Sequence, residues 1–251
     1  MKFTLKALSL ALVASASTAT FADEAPALPF GLAFSGSAAI TTDYRFRGVT
    51  QSENDPAVQV GFQLDHASGL YAGVWGSSIN FGEGDDAKLE LDPYIGYAKT
   101  FESLPGAPTL DVGVYYYGYP SNHDLNFVEY YVGVGFEGLG VEGDSLSTTI
   151  AYSNDWLGAG YNAWYYGLGY TLPFGSSGFS GVANVGYSDF EKDYDKNYWD
   201  WKAGLTYDFK SIDGFTAELA AVGTNKDTKN LSSVQKRAVD TGAVFTLTKS
   251  F

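Results

Sequence analysis

The chain has no cysteine, one methionine and only two histidines among its 251 residues. The absence of cysteine excludes disulfide bonds, thiol catalysis and cysteine-ligated metal sites. Basic residues are also scarce: 15 lysines and arginines stand against 29 aspartates and glutamates, a formal net charge of −14. Because binding of nucleic acid depends on positive side chains that neutralise phosphates, this balance argues against nucleic acid as a partner.

The chain also lacks a long apolar run. An apolar segment over residues 7–14 follows Lys2 and Lys6 and is shorter than the roughly 20 residues that a membrane-spanning helix needs. This order predicts a signal peptide over residues 1–22, followed by a short periplasmic segment over residues 23–31. Without a spanning helix, the exported chain could cross a membrane only as a closed β-barrel, in which every backbone polar group is satisfied.

Aromatic residues, by contrast, are abundant. They make up 16% of the chain, and 19 of them are tyrosines. A soluble core is built mainly from leucine, isoleucine and valine, whereas a membrane barrel needs amphipathic rings at both lipid interfaces. The composition therefore favours a membrane barrel over a soluble sandwich.

The segment 32–47 alternates between two kinds of residue. Its even positions are mostly apolar, from Leu32 to Phe46, and its odd positions are small or polar. A period of two predicts a β-strand, because successive side chains point to opposite faces. We therefore predict one strand over this segment, with Tyr44 and Phe46 on the apolar face and a return strand over residues 57–66.

Twelve alternating segments follow one another up to Phe251, the C-terminal residue. Every second connection is a Gly/Pro/Ser-rich turn, and the other six are on average longer and more charged, as in outer-membrane barrels. The predicted fold class is all-β, a transmembrane antiparallel up-and-down barrel of about 12 strands over residues 32–251. An aromatic residue that ends an amphipathic strand resembles the signal read by the barrel-assembly machinery. We expect this machinery, outer-membrane lipid and lipopolysaccharide as partners.

The same alternation assigns polar and tyrosine side chains to the lumen of the barrel. The predicted pore-lining residues are Asp43, Arg45, Arg47, Gln59, Gln63, Lys88, Glu90, Asp92, Tyr94, Asp111, Tyr115, Tyr117, Glu129, Tyr131, Asp200, Lys202 and Glu218. Acidic residues outnumber basic ones in this set, which predicts a mild preference for cations in an open pore.

Two alternatives remain for the arginines and two for the tyrosines. Arg45 and Arg47 neutralise carboxylates in the lumen, because a buried charge needs a partner, or form a basic patch that orients an anionic or dipolar solute. Both roles can hold together, because a charged ladder across a narrow pore is also a filter. The tyrosines either fill the lumen or line a slot for a ring-bearing or sugar-like solute. Strand number does not decide between these, since barrels of eight strands are filled and barrels of sixteen hold water.

Catalytic signals are weak. Ser121, His123 and Asp124 include the residue types of a hydrolase triad, but neighbours in one loop lack the supporting geometry that a triad needs. The chain shows no P-loop, dinucleotide fingerprint or zinc-ligand spacing. We therefore predict a protein that is not an enzyme and expect no cofactor or metal.

Part of the chain resembles a known family. Residues 43–48, 51, 54–57, 69–73, 75, 91–92, 94 and 111–114 are similar to the start of porins of the TorF family, and the remainder follows only its strand rhythm. The resemblance implies a small outer-membrane barrel. With the charged, tyrosine-lined lumen, we expect a narrow passive channel for small hydrophilic solutes. The alternatives are a plugged barrel with a structural or surface-binding role and, on the weak signal of Ser121, His123 and Asp124, an outer-membrane hydrolase.

Overall fold

The computed structural model describes residues 29–82, 86–192, 194–229 and 231–251. The predicted signal peptide lies outside these ranges. The strands are β1 (Leu32–Thr41), β2 (Arg45–Phe46), β3 (Val49–Thr50), β4 (Ala57–His66), β5 (Leu70–Ser78), β6 (Leu89–Thr100), β7 (Thr109–Tyr117), β8 (Phe127–Glu137), β9 (Ser145–Ser153), β10 (Ala163–Pro173), β11 (Phe179–Phe190), β12 (Tyr198–Asp208), β13 (Phe215–Thr224) and β14 (Gly242–Ser250). One helix, α1 (Ser233–Val239), precedes β14, and short 3₁₀ turns occupy Pro29–Gly31, His123–Leu125 and Trp156–Gly158.

Twelve of these strands form one closed antiparallel barrel, which confirms the predicted fold class. Neighbours in the barrel are neighbours in the chain, except that β1 pairs directly with β4 and β14. Residues 32–41 of β1 lie opposite residues 57–66 of β4, and residues 37–41 lie opposite residues 246–250 of β14. Strands β2 and β3 form a separate two-stranded sheet.

The barrel turns its apolar side chains outward. Ile40, Val58 and Leu219 are 60%, 57% and 59% exposed, and they share this face with most of the large apolar residues of the strands. In water, so continuous an apolar band would be unfavourable, whereas against lipid chains it is matched. Polar side chains and part of the tyrosines, among them Tyr115, Tyr117 and Tyr131, occupy the opposite, inner face. This inverted arrangement is typical of a membrane barrel.

The two ends of the barrel differ. One end, here called the short-turn end, carries brief connections such as residues 67–69 and 174–178. The other, the long-connection end, carries the two longest connections, residues 42–56 and 225–241. The predicted alternation of short turns and longer connections is therefore present. Most residues of the candidate functional site lie at the long-connection end.

Aromatic rings mark the outer surface near the long-connection end. Three outward tyrosines on alternate strands each bond to an asparagine ten residues later, at the far side of the next connection: Tyr116 with Asn126 (2.8 Å), Tyr152 with Asn162 (2.7 Å) and Tyr187 with Asn197 (3.1 Å). Each ring thus faces outward while its hydroxyl stays in a polar layer. This is the arrangement expected of an interfacial girdle.

The C-terminus closes the barrel at the short-turn end. The Phe251 amide donates to the Gly36 carbonyl (3.0 Å), and the Gly36 amide donates to the Phe251 carbonyl (2.9 Å). The Phe251 ring lies 6.4 Å from the ring of Phe34 and 6.2 Å from that of Phe62. A side chain at Gly36 would meet the Phe251 ring at 2.8 Å and the backbone carbonyl oxygen of Gly61 at 2.9 Å. Glycine is therefore required for this close approach.

Candidate functional site

The connection between β1 and β4 folds into the barrel as a hairpin. Strands β2 and β3 pair so that Phe46 lies opposite Val49, and Arg47 and Gly48 form the two-residue turn between them. Both turn residues have positive φ, 49° and 80°, which is the signature of a type I′ turn. Residues 45–50, here called the inner hairpin, therefore lie inside the barrel and do not extend its wall.

This finding corrects the predicted first strand. Strand β1 ends at Thr41, and the alternation that continues to Arg47 belongs to another element. Tyr44 and Phe46 were predicted on the lipid face, but Tyr44 is 1% exposed and Phe46 packs inside against Tyr117. The reason is that a hairpin strand has the same period of two as a wall strand, so the pattern does not show where the chain leaves the sheet.

Asp43 holds the base of the inner hairpin. Its carboxylate accepts hydrogen bonds from Arg45 Nε (2.5 Å), Thr50 Oγ1 (2.5 Å) and Asn54 Nδ2 (3.0 Å), with Ser52 Oγ at 3.4 Å. The residue is 6% exposed. A buried carboxylate is stable only with donors of this kind. Asp43 therefore fixes the two arms of the hairpin to each other.

Arg45 connects the inner hairpin to helix α1. Its Nη1 donates to the carbonyls of Gly48 (3.1 Å), Ala238 (3.1 Å) and Asp240 (3.2 Å). The last two carbonyls lie at the C-terminal end of α1, where the helix dipole favours a positive charge. At the other end of the helix, Ser232 and Gln235 form a capping box. Arg45 thus ties the hairpin to the longest connection.

Arg47 carries the tip of the hairpin across the lumen to β8. Its Nη2 lies 2.8 Å from each carboxylate oxygen of Glu129, which also accepts a hydrogen bond from the Tyr117 hydroxyl (3.0 Å). Four strands separate β1 from β8 on one side and six on the other, so the contact spans the barrel. Rings surround the guanidinium: its central carbon lies 4.0 Å from the Tyr165 centroid and 5.2 Å from that of Trp156.

A second carboxylate lies beside the hairpin tip. Asp200 on β12 accepts a hydrogen bond from the Tyr165 hydroxyl (3.3 Å) and interacts electrostatically with Arg47. Its other oxygen, Oδ2, is buried without a hydrogen-bond partner among the described residues. A side chain at Gly48 would meet Thr224 and the Gly223 carbonyl on β13, and the Cβ of Asp200 on β12. The hairpin tip therefore meets β8 through Arg47, and β12 and β13 through Gly48.

Three further carboxylates line the wall formed by β6 and β7. Glu90 accepts from the Tyr119 hydroxyl (2.9 Å), Asp92 from the Gly118 amide (3.2 Å) and Asp111 from the Tyr71 hydroxyl (2.6 Å). All three residues are 2% exposed or less. Phenol hydroxyls thus supply donors to buried carboxylates on this wall, a role of the tyrosines that the sequence did not reveal.

The remaining predicted tyrosines form a stacked layer beside these acids. The rings of Tyr94 and Tyr115 are nearly parallel at 4.7 Å, and the Tyr94 hydroxyl donates to Gln63 (2.9 Å). Tyr131 bonds to the Tyr71 hydroxyl. The rings therefore pack against one another and occupy the space that an open slot would need.

Three predicted lumen residues lie elsewhere on the inner wall. Lys202 and Glu218 form an ion pair (3.0 Å) between β12 and β13, and Gln59 is half-buried on β4. Lys88 precedes β6 and is exposed at the long-connection end, and its place in the lumen stays a prediction. Both arginines are paired with carboxylates, as in the first of the two interpretations, and their functional role stays a prediction.

Several residues of the site were not singled out from the sequence. Thr50, Ser52 and Asn54 belong to a connection in which only turns were expected, and Trp156 lies in a loop that shows no periodic pattern. Tyr165 could have been found, because Trp164 and Tyr166 face lipid and the residue between them must face inward.

The inner hairpin lies in a densely packed part of the lumen. The residues that are 3% exposed or less include Tyr44, Ser52, Tyr117, Glu129, Ser153 and Ser188. Towards the short-turn end, the burial of inward residues is mixed: Thr109 and Thr216 are buried, whereas Asn184 is exposed and Ser147 and Thr149 are half-buried. The hairpin thus fills the lumen next to the long-connection end.

Within the described ranges, no group of three or more histidines, aspartates or glutamates is arranged to hold a metal ion. None of the helices in those ranges is long and apolar enough to cross a membrane. His123 is exposed, and its Nδ1 lies 3.3 Å from Asn126 Nδ2. The His123 ring thus contacts the side-chain amide of Asn126.

The fold is similar to that of solved porins. One match is the NanC porin, with a TM-score of 0.56 and 13% identity over 87% of this chain and 99% of the other. Another is the KdgM porin, with a TM-score of 0.54 and 7% identity over 86% of this chain and 98% of the other. At these identities the likeness shows the fold alone. No functionally curated protein matches the chain.

A family model matches the sequence over residues 24–251, and it is described as a bacterial protein of unknown function (Gcw_chp). This match covers all the barrel strands, the inner hairpin and α1. The chain is a porin-like 12-stranded barrel, and it belongs to the Gcw_chp family.

Proposed function

We propose that the protein is a narrow passive channel of the outer membrane that admits small hydrophilic solutes. The observation that carries this proposal is the inner hairpin, which crosses a porin-like barrel and is held there by charged and hydroxyl groups. Water or a polar solute can satisfy the hydrogen-bonding capacity of such groups as well as they satisfy one another. The TorF-like residues 43–48 and 51, which include most of the hairpin, agree with a porin role.

The orientation follows from the connections. Outer-membrane barrels have short periplasmic turns and longer external loops, so we place the long-connection end outside the cell and the hairpin in the outer half of the lumen. Lipid and lipopolysaccharide would then contact the apolar outer band, and the barrel-assembly machinery would meet the strand that ends at Phe251. Export would depend on the predicted signal peptide over residues 1–22.

The lumen charges favour cations. Three carboxylates are paired with Arg45, Arg47 and Lys202, whereas Glu90 and Asp92 accept hydrogen bonds from a phenol and a backbone amide. In its ionised form, a lumen carboxylate without a basic partner lowers the energy of a passing cation relative to an anion. We therefore expect cation permeability to exceed anion permeability.

Single-channel recording of the refolded mature protein in planar bilayers tests the proposal. We expect discrete conductance steps, a reversal potential that favours cations and larger steps in Arg47→Ala, because this variant frees the hairpin tip. Lys202→Ala is the matched control, since its charge lies away from the hairpin. A silent bilayer, with a folded barrel demonstrated by heat-modifiable gel migration, would contradict the proposal.

A plugged barrel with a structural or surface-binding role is the second candidate. The near-complete burial of Tyr44 and Glu129 favours it, because a permanent plug has no need for exposed contacts. A variant with residues 44–51 replaced by a short glycine–serine linker separates the two. Conductance only after this replacement supports the plug, whereas conductance of the unaltered protein supports the channel.

A further inference from the structure

The guanidinium of Arg47 occupies a closed cage inside the barrel. The cage consists of Glu129, Asp200, Tyr117, Trp156 and Tyr165, from β8, β12, β7, the connection between β9 and β10, and β10. We propose that this cage is a binding site for small organic cations of the guanidinium type, and that Arg47 is its built-in occupant while the hairpin is closed. The inference rests on the proposed channel only for the route by which a solute reaches the cage.

The rings match a flat cation in shape and in charge distribution. The guanidinium carbon of Arg47 lies 4.0 Å from the centroid of Tyr165 and 5.2 Å from that of Trp156, within the range of favourable cation–π contact. A planar, weakly hydrated guanidinium stacks on such faces, whereas a compact, strongly hydrated ammonium or sodium ion does so less well. The cage therefore discriminates by shape as well as by charge.

Glu129 and Asp200 offer more hydrogen-bond acceptors than Arg47 satisfies. Arg47 uses Nη2 for both oxygens of Glu129, and its own Nε is buried without a hydrogen-bond partner among the described residues. Asp200 Oδ2 is likewise buried without a hydrogen-bond partner among the described residues. A free guanidinium ion carries two N–H groups on each nitrogen, six against the five of arginine, and it is not tethered to a backbone. It can therefore face both carboxylates at once.

The backbone conformation of Arg47 favours its replacement by a ligand. Arg47 has φ 49°, in the left-handed region that a non-glycine residue rarely adopts, and it lies at the turn of a hairpin whose strands have two residues each. A ligand that takes the place of Arg47 releases this strain and leaves the hairpin without its contact to β8. Binding and hairpin opening are thus coupled, because the ligand favours the open arrangement.

Chemical rescue of Arg47→Ala tests the cage in detergent, without any need for conductance. We expect the melting temperature of this variant to rise saturably with guanidinium chloride at low concentration, relative to sodium chloride of equal ionic strength. Adding Glu129→Gln should weaken this response about tenfold or more, the loss typical of a charged hydrogen-bond partner. Lys202→Ala is the control, because it vacates a carboxylate that lacks the ring cage and should show no preference for guanidinium.

A second measurement uses the otherwise unaltered barrel, in case Arg47→Ala does not fold. Because the chain has no cysteine, Val49→Cys places a single thiol on the half-buried inner hairpin. We expect guanidinium, but not sodium or tetramethylammonium, to raise the rate of labelling by a water-soluble thiol reagent several-fold. The same substitution with Glu129→Gln should label at a rate that does not depend on guanidinium.

The outcomes separate this inference from the proposed function. If the barrel is silent in bilayers but shows guanidinium-specific rescue, the proposed cage is supported and the proposed channel is contradicted. If the barrel conducts, but guanidinium and sodium act alike in both the melting and the labelling measurement, the proposed cage is contradicted. The proposed channel is then still supported.

Discussion

Arg47 and Glu129 form an ion pair across the interior of the barrel, with Arg47 Nη2 2.8 Å from each carboxylate oxygen and both side chains 4% exposed or less. The arginine belongs to the turn of the inner hairpin and the glutamate to the wall strand β8. The pair therefore sets the position of the hairpin relative to the wall, and with it the filling of the lumen next to the long-connection end.

Removing one partner of this pair should destabilise the barrel strongly. Glu129→Gln leaves Arg47 buried without its full counter-charge, which costs about 3–5 kcal/mol in a buried ion pair. The free energy of unfolding in urea, measured for the barrel in detergent micelles, provides the test. Glu218→Gln is the matched control, because its pair with Lys202 is more exposed and should lose less. Equal losses in the two variants would contradict the role assigned to Arg47.

Arg45→Ala should loosen helix α1 without opening the barrel. The substitution removes a positive charge and two hydrogen bonds from the C-terminal carbonyls of the helix, which weakens the helix end by about 1 kcal/mol. It also leaves the buried Asp43 carboxylate without its ion-pair partner, so the total loss of unfolding free energy should be larger, on the order of 3–5 kcal/mol. We expect the amides of α1 to exchange with solvent several-fold faster, while amides in β12 keep their protection. Lys229→Ala removes a charge from the same connection without touching these carbonyls and should leave exchange in α1 unchanged.

The contact between Gly36 and Phe251 should appear as energetic coupling. Gly36→Ala introduces a methyl group that meets the Phe251 ring at 2.8 Å, so this change should destabilise the barrel. In a Phe251→Ala background the ring is absent, and the same change should cost about 1 kcal/mol less. Unfolding free energies of the four proteins of this double-mutant cycle give the coupling. Additive effects would show that the ring does not limit position 36.

Asp144 should make the barrel sensitive to acid. The Tyr170 hydroxyl (2.8 Å), with the amides of Gly140 (2.9 Å) and Val141 (3.1 Å), holds the pKa of this carboxyl below its usual value. A lowered pKa in the folded state contributes stability that is complete above the unfolded pKa of about 3.9, and that is lost as pH falls through the folded value.

The measurement is the melting temperature against pH for the unaltered protein and for Asp144→Asn. We expect a constant difference at neutral pH that shrinks as pH falls below about 4, the region of the unfolded pKa. Asp213→Asn, in another short turn, is the control. A difference that is independent of pH would show that the carboxylate charge contributes nothing to this turn.

Local alternation of apolar and polar residues predicted the orientation of many side chains in the barrel wall. Leu64 and Leu219 face outward and Glu129 and Glu218 inward because a strand places alternate side chains on opposite faces, and alternation is visible along one segment of chain. The same rule would have placed Tyr165 inside. The tyrosine content indicated a membrane barrel because amphipathic rings suit the interfaces between lipid and water.

The pattern failed where the chain leaves the sheet. Tyr44 and Phe46 continue the alternation of β1, yet they lie in a hairpin within the lumen. Local alternation describes the two faces of any extended segment, and it contains no information on whether that segment pairs with β14 or turns inward. The choice depends on partners far away in the chain, above all Glu129 and the carbonyls at the end of α1.

The sequence by itself therefore determined the number of strands, the face on which most side chains lie and the supply of charges in the lumen, because these follow from local spacing and composition. Only the tertiary structure decided which charges meet. Arg45 bonds to Asp43 two residues away, whereas Arg47 bonds to Glu129, 82 residues away. Closure of the barrel brings β8 within reach of the hairpin, and a buried charge then selects the partner that satisfies it.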